Sequence, residues 1–134
     1  MVHLVNPRFK ESIYDPFCGT GGFLTQAFKH IKESTILNTE QQEYLKKKTI
    51  FGGEITSTAR IAKMNMILQG DGHSGVQKIN SLANPKNKEF DIVISNIPFS
   101  QKTKHSDLYY NGIAKNNGDA TCILHCLRSL KDGG

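Results

Sequence analysis

The sequence lacks the features that would place it in a membrane, in a secretory pathway or around a metal ion. No apolar run approaches the roughly 20 residues that a membrane-spanning helix needs. The first seven residues carry no charged leader and no cleavage site, so no signal peptide is expected. The three cysteines form no Cys-x-x-Cys pair, and the five histidines do not cluster. We therefore expect a cytoplasmic protein with reduced cysteines and no metal site.

The composition is that of a folded domain with a modest positive charge. The chain has 134 residues, of which 37% are hydrophobic and 22% are charged, and this suits one globular domain. Its formal net charge of +5 permits contact with a polyanion such as nucleic acid but does not require it. The lysine run at 46–48 is equally well explained as the solvated end of a helix.

Apolar periodicity and the positions of glycine predict alternating strands and helices. The predicted strands are 12–14, 49–54, 76–79 and 90–95, and the predicted helices are 22–33, 39–48, 56–69 and 120–130, after a short apolar helix within 1–9. This alternation predicts a parallel α/β sheet with right-handed crossovers. A last helix and a glycine stop stand where another strand would follow, so we expect the sheet to be incomplete.

Finer predictions concern helix faces, one helix start and the fourth strand. The helix over 56–69 is expected to bury Ala59, Ile61, Ala62, Met66 and Ile67, with Met64 also filling the core. The last helix is expected to bury Ile123, Leu124, Leu127 and Leu130. Thr39 and Gln42 have the spacing of a capping box, and the unbroken apolar run at 92–94 predicts a strand covered on both faces. Residues 101–118 are polar and are predicted to form a long loop.

The stretch 14–24 combines a strand end with a glycine-rich turn. Asp15 ends the strand, and Gly19, Gly21 and Gly22 follow it. Glycine lets a ligand approach the backbone closely, and the carboxyl end of a first strand is where doubly wound sheets bind nucleotide-like cofactors. A tight turn without any ligand is an equally good interpretation of a lone Gly-x-Gly. Cys18 lies inside this loop, where it can touch a ligand without being a nucleophile.

Two other predicted strand ends carry polar groups. Glu54 could accept hydrogen bonds from two ribose hydroxyls, or it could simply be an acid favoured at a helix start. In Asn96-Ile97-Pro98-Phe99, the asparagine amide and the next carbonyl can both accept from one amino group. The aromatic ring of Phe99 can stack on a base extruded from a duplex. The alternative for this motif is an ordinary Asn-x-Pro turn.

Together, these stretches resemble the modification subunit of type I restriction–modification systems, an adenine-N6 DNA methyltransferase. The resemblance runs over 12–24, Gly53-Glu54 with Ala59, Ala62, Asn65 and Gly70, then 80–82, 90–99 and 129–134. It covers nearly the whole chain. It implies a Rossmann-like, S-adenosylmethionine-dependent methyltransferase fold. Residues 1–134 would form a single partial catalytic domain, without the helical domain and the further strands that the family has upstream and downstream.

The resemblance also implies a set of site residues. Those binding S-adenosylmethionine would be Asp15, Cys18, Gly19, Thr20, Gly21, Gly22, Phe23, Glu54, Ile55 and Asn80. Among them, Glu54 would hold the ribose, and Asn80 would lie near the adenine of the cofactor, where the family often has an acid. The catalytic residues would be Asn96, Ile97, Pro98 and Phe99. Asn96 and the Ile97 carbonyl would hold the amine of the target adenine, and Phe99 would stack on its ring.

One departure from the family pattern bears on activity. Ile97 stands where the family usually has the first proline of Asn-Pro-Pro-Phe or Asn-Pro-Pro-Tyr, so the fixed φ is lost and an N–H is added. We expect this fragment alone to be inactive. The alternatives are a degenerate fragment that keeps a cofactor fold or a partner surface, and, less well supported, a protein-glutamine or RNA methyltransferase. The partners implied are DNA with an adenine target and the specificity and restriction subunits, and an open sheet edge would favour self-association.

Overall fold

The computed structural model describes residues 1–71, 75–100, 102–109 and 117–134. Its strands are β1 (Ile13–Asp15), β2 (Ile50–Glu54), β3 (Gly75–Lys78) and β4 (Ile92–Val93). Its α-helices are α1 (Val2–Val5), α2 (Gly22–Ser34), α3 (Thr39–Lys48), α4 (Ala59–Leu68) and α5 (Gly118–Ser129). Two short 3₁₀ helices span Ser81–Ala83 and Ser106–Leu108.

The strands form one parallel sheet in the order β3-β2-β1-β4, which confirms the predicted α/β architecture. In this register Tyr14 of β1 lies between Phe51 of β2 and Val93 of β4. Parallel pairing brings the carboxyl ends of all the strands to the same edge of the sheet. The segments that follow Asp15, Glu54 and β4 therefore meet at this edge.

The helix after the glycine turn packs as its sequence pattern predicts. Leu24, Ala27, Phe28 and Ile31 are all buried along one face of α2. The close approach of α2 to α4 depends on Gly21, because a Cβ there would lie 3.3 Å from the Cβ of Ala62. Residues in the left-handed region follow the ends of α1 and α4, since Asn6 and Gly70 have φ of 50° and 95°.

The helix predicted over 39–48 is confirmed, but its capping box lies one residue earlier than predicted. The capping box is formed by Asn38 and Gln41, so the prediction of Thr39 and Gln42 is wrong. The Asn38 side chain accepts from the Gln41 N–H at 2.9 Å, and the Asn38 N–H donates to the Gln41 side chain at 3.0 Å. Asparagine is at least as good an N-cap as threonine, and Thr39 becomes the first helical residue.

The apolar face predicted for α4 is only partly buried. Ala59, Ala62 and Met66 are buried, whereas Ile61 and Ile67 are 51% and 57% exposed. Met64, predicted as core, is 63% exposed. These predictions fail because β3 and α2 cover only one side of the helix, and the apolar side chains of α4 extend around more than that side.

The apolar face predicted for α5 is not the buried one, and of its residues Leu124 and Leu130 are half-buried. Ile123 and Leu127 are 49% and 61% exposed, and the buried positions are Gly118, Thr121, Cys122, His125 and Ser129. The polar side of the helix can be buried because its groups are bonded internally. The Ser129 hydroxyl, for example, donates to the His125 carbonyl at 2.7 Å.

The fourth strand is shorter and more exposed than predicted. β4 comprises only Ile92 and Val93, and both are half-buried rather than covered on both faces. Among the described residues, β1 is the only strand that pairs with it, so it stands at the edge of the four-stranded sheet. An isolated parallel bridge joins Phe90 to Leu130, just past α5.

The loop predicted over 101–118 is partly described, and residues 101 and 110–116 fall outside the described residues. The part at 102–109 contains the second 3₁₀ helix. No helix in the described ranges is both long and apolar enough to cross a bilayer. Among the same residues, no three His, Cys, Asp or Glu side chains are grouped to hold a metal ion.

Candidate functional site

Two cavities meet at the carboxyl edge of the sheet. One has a volume of 330 Å³ and is lined by Glu54, Ile55, Asn80 and Pro98 among others. The other has a volume of 390 Å³, and it is lined by Asp15, Cys18, Gly19, Thr20, Gly22 and Phe23 among others. Phe17 and Asn96 line both cavities, so the two form one cleft. Of the predicted site residues, Gly21, Ile97 and Phe99 line neither cavity.

The glycine loop is held in one conformation by its own backbone and by α4. Gly19 and Gly21 have φ of 53° and 81°, in the left-handed region that glycine adopts without strain. The Asn65 side chain of α4 donates to the Thr20 carbonyl at 2.9 Å. A Cβ at Gly19 would meet nothing within 4 Å, so the space beside the loop is open. The loop thus offers an open cradle at the end of β1.

Cys18 is a structural part of this loop. Its N–H donates to the Gly53 carbonyl at 2.9 Å, which attaches the loop to β2. Burial raises the pKa of the Cys18 thiol to about 12, and the charges of Asp15 and Glu54 act in the same direction. The thiol is therefore protonated at neutral pH, which is unfavourable for a nucleophile.

Glu54 bridges the end of β2 and the glycine loop. One carboxylate oxygen accepts from the Gly19 N–H at 3.1 Å. The other accepts from the Thr56 N–H and the Thr56 hydroxyl, both at 2.7 Å. A carboxylate has about four lone-pair sites, so these three bonds leave acceptor capacity toward the cleft.

Asn80 lies in the cleft with its side-chain oxygen already used. Its Oδ1 caps the first 3₁₀ helix by accepting from the Leu82 and Ala83 N–H groups at 3.1 and 3.4 Å. Its Nδ2 lies 3.5 Å from Nε2 of His105. An aspartate here could keep the cap with one oxygen and offer the second to a ligand.

Asp15 joins the end of β1 to the acceptor motif. Its Oδ1 accepts from the Ser95 hydroxyl at 2.5 Å and from the Phe17 N–H at 3.1 Å. Burial raises the pKa of Asp15 to about 6, although both of these bonds act to lower it, and the charge of Glu54 raises it further. The carboxyl group thus connects the glycine loop to the residue that precedes Asn96.

The raised pKa of Asp15 predicts a specific pH dependence of stability. The pKa of Asp15 is about 6 in the folded protein, against 3.8 in the unfolded chain. This difference stabilises the folded protein fully below pH 3.8, and the stabilisation is lost as the pH rises through 6. We expect this group to lower the free energy of unfolding by about 1 kcal/mol between about pH 5 and 8. Asp15→Asn keeps an acceptor oxygen and should remove this contribution. Urea denaturation at the two pH values measures this contribution, with the exposed Asp132→Asn as control. The prediction would be contradicted if the free energy of unfolding changed equally with pH in wild type and in Asp15→Asn.

The acceptor motif presents its polar and aromatic groups to solvent. Asn96 is exposed, and its side chain makes no hydrogen bond to any other described residue. Phe99 is 73% exposed. Ile97 and Pro98 are half-buried between them, and Ser100 has a φ of 58°. The motif therefore has an available amide and an available ring.

Sequence reasoning missed several residues that shape this cleft. Thr56 lies two residues after Glu54, and short-range hydroxyl bonding to that acid was a signal that could have found it. Ser95 bonds to Asp15 across 80 positions, so no local pattern pairs them. Tyr109 is hydrogen-bonded to His125 and to the Ser81 and Leu82 carbonyls on the wall of the cleft, but no local pattern pairs these residues.

A larger cavity, of 720 Å³, lies away from the glycine loop. It is lined by the aromatic rings of Tyr14, Phe51 and Phe90 and by lysines at its rim. None of the predicted site residues lines it. The convergence of polar groups at strand ends therefore identifies the candidate site, and cavity size does not.

Comparison with known proteins gives consistent matches. The family model described as N-6 DNA Methylase matches residues 1–134. The methylase subunit of the type I restriction enzyme EcoEI from Escherichia coli is 35% identical over 104 residues, covering 74% of this chain and 21% of that protein. The StySPI methylase subunit from Salmonella potsdam is 27% identical over 147 residues, covering 100% of this chain and 28% of that protein. The chain thus spans about a quarter of the length of these relatives.

Solved structures share the fold. A modification subunit of a putative type I restriction enzyme from Vibrio vulnificus YJ016 superposes with a TM-score of 0.84 at 28% identity, over 96% of this chain and 28% of that one. A chain from a structure that describes complex assembly and conformational transition of the type I R-M system superposes with a TM-score of 0.86 at 30% identity. The match covers 97% of this chain and 27% of that one. The predicted methyltransferase fold is confirmed by these likenesses.

Proposed function

Because this chain belongs to the N-6 DNA methylase family, we propose that it is part of an S-adenosylmethionine-dependent adenine-N6 DNA methyltransferase. It would be a piece of the modification subunit of a type I restriction–modification system. The observation that carries the proposal is the single cleft in which Glu54, the glycine loop and Asn96 converge. DNA and the specificity and restriction subunits are the proposed partners, and the cytoplasm is the proposed location.

The donor half of the cleft suits S-adenosylmethionine. Open space beside Gly19 and Gly22, where a Cβ would meet nothing within 4 Å, leaves room for a ligand against the backbone. The Glu54 carboxylate has acceptor capacity for ribose hydroxyls. When bound, S-adenosylmethionine supplies an activated methyl group on its sulfonium sulfur. The residues of the loop hold that group in place and need no nucleophile, in agreement with the protonated Cys18.

The acceptor half suits an adenine amine. The Asn96 amide oxygen accepts one N–H of the amine, and the Ile97 carbonyl accepts the other. This pairing orients the nitrogen lone pair, and Phe99 stacks on the extruded base. Catalysis then rests mainly on positioning, because holding two reactants in line removes much of the entropic barrier.

One observation favours a second candidate, a fragment that binds the cofactor or a partner but transfers no methyl group. Ile97 replaces a proline whose fixed φ would hold the carbonyl beside Asn96. The φ of 58° at Ser100 shows that the backbone turns sharply just past the motif. A looser acceptor pair would lower the rate of transfer while leaving the donor half unchanged.

Two measurements test the proposal. Calorimetry should show S-adenosylmethionine binding to this chain, and no heat at millimolar ligand would contradict the donor site. Transfer of a tritiated methyl group to adenine-containing DNA, with the specificity subunit added, distinguishes the methyltransferase from the inactive fragment. We expect this chain alone to be inactive, since it spans about a quarter of its relatives.

Replacing Asn80 with aspartate should strengthen binding of S-adenosylmethionine. The Asn80 oxygen is used to cap the 3₁₀ helix, whereas a carboxylate adds a free acceptor for the amine of the cofactor's adenine. A hydrogen bond to a charged group predicts an affinity about tenfold higher by calorimetry. Asn87→Asp makes the same charge change at an exposed position and should have no effect. Equal affinities for wild type and Asn80→Asp would contradict the placement of the adenine beside residue 80.

A further inference from the structure

The segment 102–109 lies along the half of the cleft that contains Asn80. Lys102 and Thr103 line that cavity, and the His105 ring lies 3.5 Å from the Asn80 side chain. Ser106, in the second 3₁₀ helix, is buried. This segment begins just after the acceptor motif and forms part of the wall facing Glu54. Its position therefore determines the width of that half of the cleft.

Tyr109 attaches the end of this segment to the 3₁₀ helix Ser81–Ala83. Its hydroxyl lies 2.8 Å from the Leu82 carbonyl, 3.2 Å from the Ser81 carbonyl and 2.8 Å from Nδ1 of His125. A phenol has a single proton, and the carbonyls can only accept. The hydroxyl thus donates to a carbonyl and accepts from Nδ1–H of His125.

The same reasoning assigns the other ring nitrogen of His125. Since Nδ1 carries the proton, Nε2 accepts from the Tyr14 hydroxyl at 3.2 Å. His125 is fully buried, and burial lowers its pKa to about 4, with the charges of Lys86 and Arg128 acting in the same direction. The ring is therefore neutral at physiological pH, as this chain of bonds requires. Tyr14 in β1 is thus connected through His125 in α5 to the segment on the cleft.

A second attachment comes from the same helix. Arg128, three residues after His125, donates from Nη1 to the Leu108 carbonyl at 2.7 Å. Arg128 is exposed, so its side chain contributes little to the core. The two attachments at Leu108 and Tyr109 are the polar bonds from α5 to this segment among the described residues.

We propose that Tyr109 and His125 are positioning residues that hold segment 102–109 against the 3₁₀ helix Ser81–Ala83 and so shape the adenosine half of the cofactor cleft. Neither residue touches the reacting atoms. The identity of the ligand rests on the proposed function, whereas the attachment itself rests only on the contacts of Tyr109, His125 and Arg128.

The test uses two variants, each of which removes a different bond that holds the segment. Tyr109→Phe removes the hydroxyl, and Arg128→Ala removes the bond to Leu108. Each should speed amide hydrogen exchange in 102–109 about tenfold, the loss expected for one or two hydrogen bonds. Each should also weaken S-adenosylmethionine binding about three- to tenfold by calorimetry. Tyr44→Phe, on α3 far from the cleft, is the matched control and should change neither.

The outcomes separate this proposal from its alternatives. Tyr109→Phe leaves the buried Nδ1–H without an acceptor and can destabilise the whole chain, which would speed exchange everywhere. Arg128→Ala avoids this effect, so faster exchange confined to 102–109 in that variant supports the proposal. Unchanged exchange at 102–109 in folded Tyr109→Phe would overturn it. Unchanged affinity of the two variants, where wild type binds the ligand, would overturn it as well. If wild type binds no S-adenosylmethionine, the proposed function fails, and exchange at 102–109 and 80–83 still decides whether Tyr109 holds the segment.

Discussion

Replacing Glu54 with alanine should weaken S-adenosylmethionine binding about 100-fold, or ~3 kcal/mol, as expected for losing two hydrogen bonds to a charged group. The carboxylate has two functions in the proposed site. It accepts from the ribose hydroxyls of the ligand, and it holds the Gly19 N–H at 3.1 Å. The variant therefore loses ligand contacts and also loses one of the bonds that attach the glycine loop to β2. Calorimetry with wild type and variant measures the difference.

Two further variants sharpen this result. Glu54→Gln keeps the shape of the side chain but places an amide N–H₂ beside either the Gly19 N–H or the Thr56 N–H. Two donors then face each other, so we expect most of the loss seen with alanine. Glu43→Ala removes a carboxylate from α3, where it pairs with lysines, and should leave the affinity unchanged. A loss below threefold in folded Glu54→Ala would contradict the assignment of Glu54.

Replacing Gly53 with valine should lower the free energy of unfolding by about 3 kcal/mol, at the upper end of the usual cost of overpacking. A Cβ at Gly53 would collide with the Ser81 hydroxyl, and it would lie 3.1 Å from the Pro16 carbonyl. The Ser81 hydroxyl donates to that carbonyl at 2.7 Å, in a buried position. Valine would break this bond, which joins the segment after β1 to the segment after β3. Urea denaturation measures the change.

The control for this prediction is a glycine with open space beside it. A Cβ at Gly22 would meet nothing within 4 Å, and Gly22 is the first residue of α2. Gly22→Ala should leave stability unchanged or raise it by about 0.5 kcal/mol, because alanine restricts the unfolded chain. A Gly53→Val protein within about 0.5 kcal/mol of wild type, which is the size of ordinary surface effects, would contradict the packing described for β2.

The chemistry of the site could be predicted from sequence because it depends on short local patterns. The glycine turn needs small residues with positive φ over a few positions, and Gly19 and Gly21 have that conformation. Glu54 and Asn96 each follow an apolar strand, and parallel pairing places all strand ends at one edge. The roles assigned to these residues in binding and transfer stay predictions.

Helix faces were less predictable, because periodicity shows that a helix is amphipathic but not how much of it is covered. In α2 the apolar stripe matches the sheet beneath it, and the predicted face is buried. In α5 the sheet meets the side with Thr121 and His125, while Ile123 and Leu127 are exposed. Thr121 and Ser129 donate to carbonyls four residues earlier in the chain. His125 instead bonds to Tyr14 and Tyr109, and no local pattern reports such distant partners.

The glycine turn, the acid at the end of the second strand and the Asn-Ile-Pro-Phe motif were determined by sequence alone, since each is a local arrangement of backbone and side chain. Only the tertiary structure decided how they are held. Asp15 meets Ser95 across 80 positions, and Tyr14 meets His125 across 111. Such bonds depend on which elements pack together, because a buried polar group takes whichever partner the fold brings within reach.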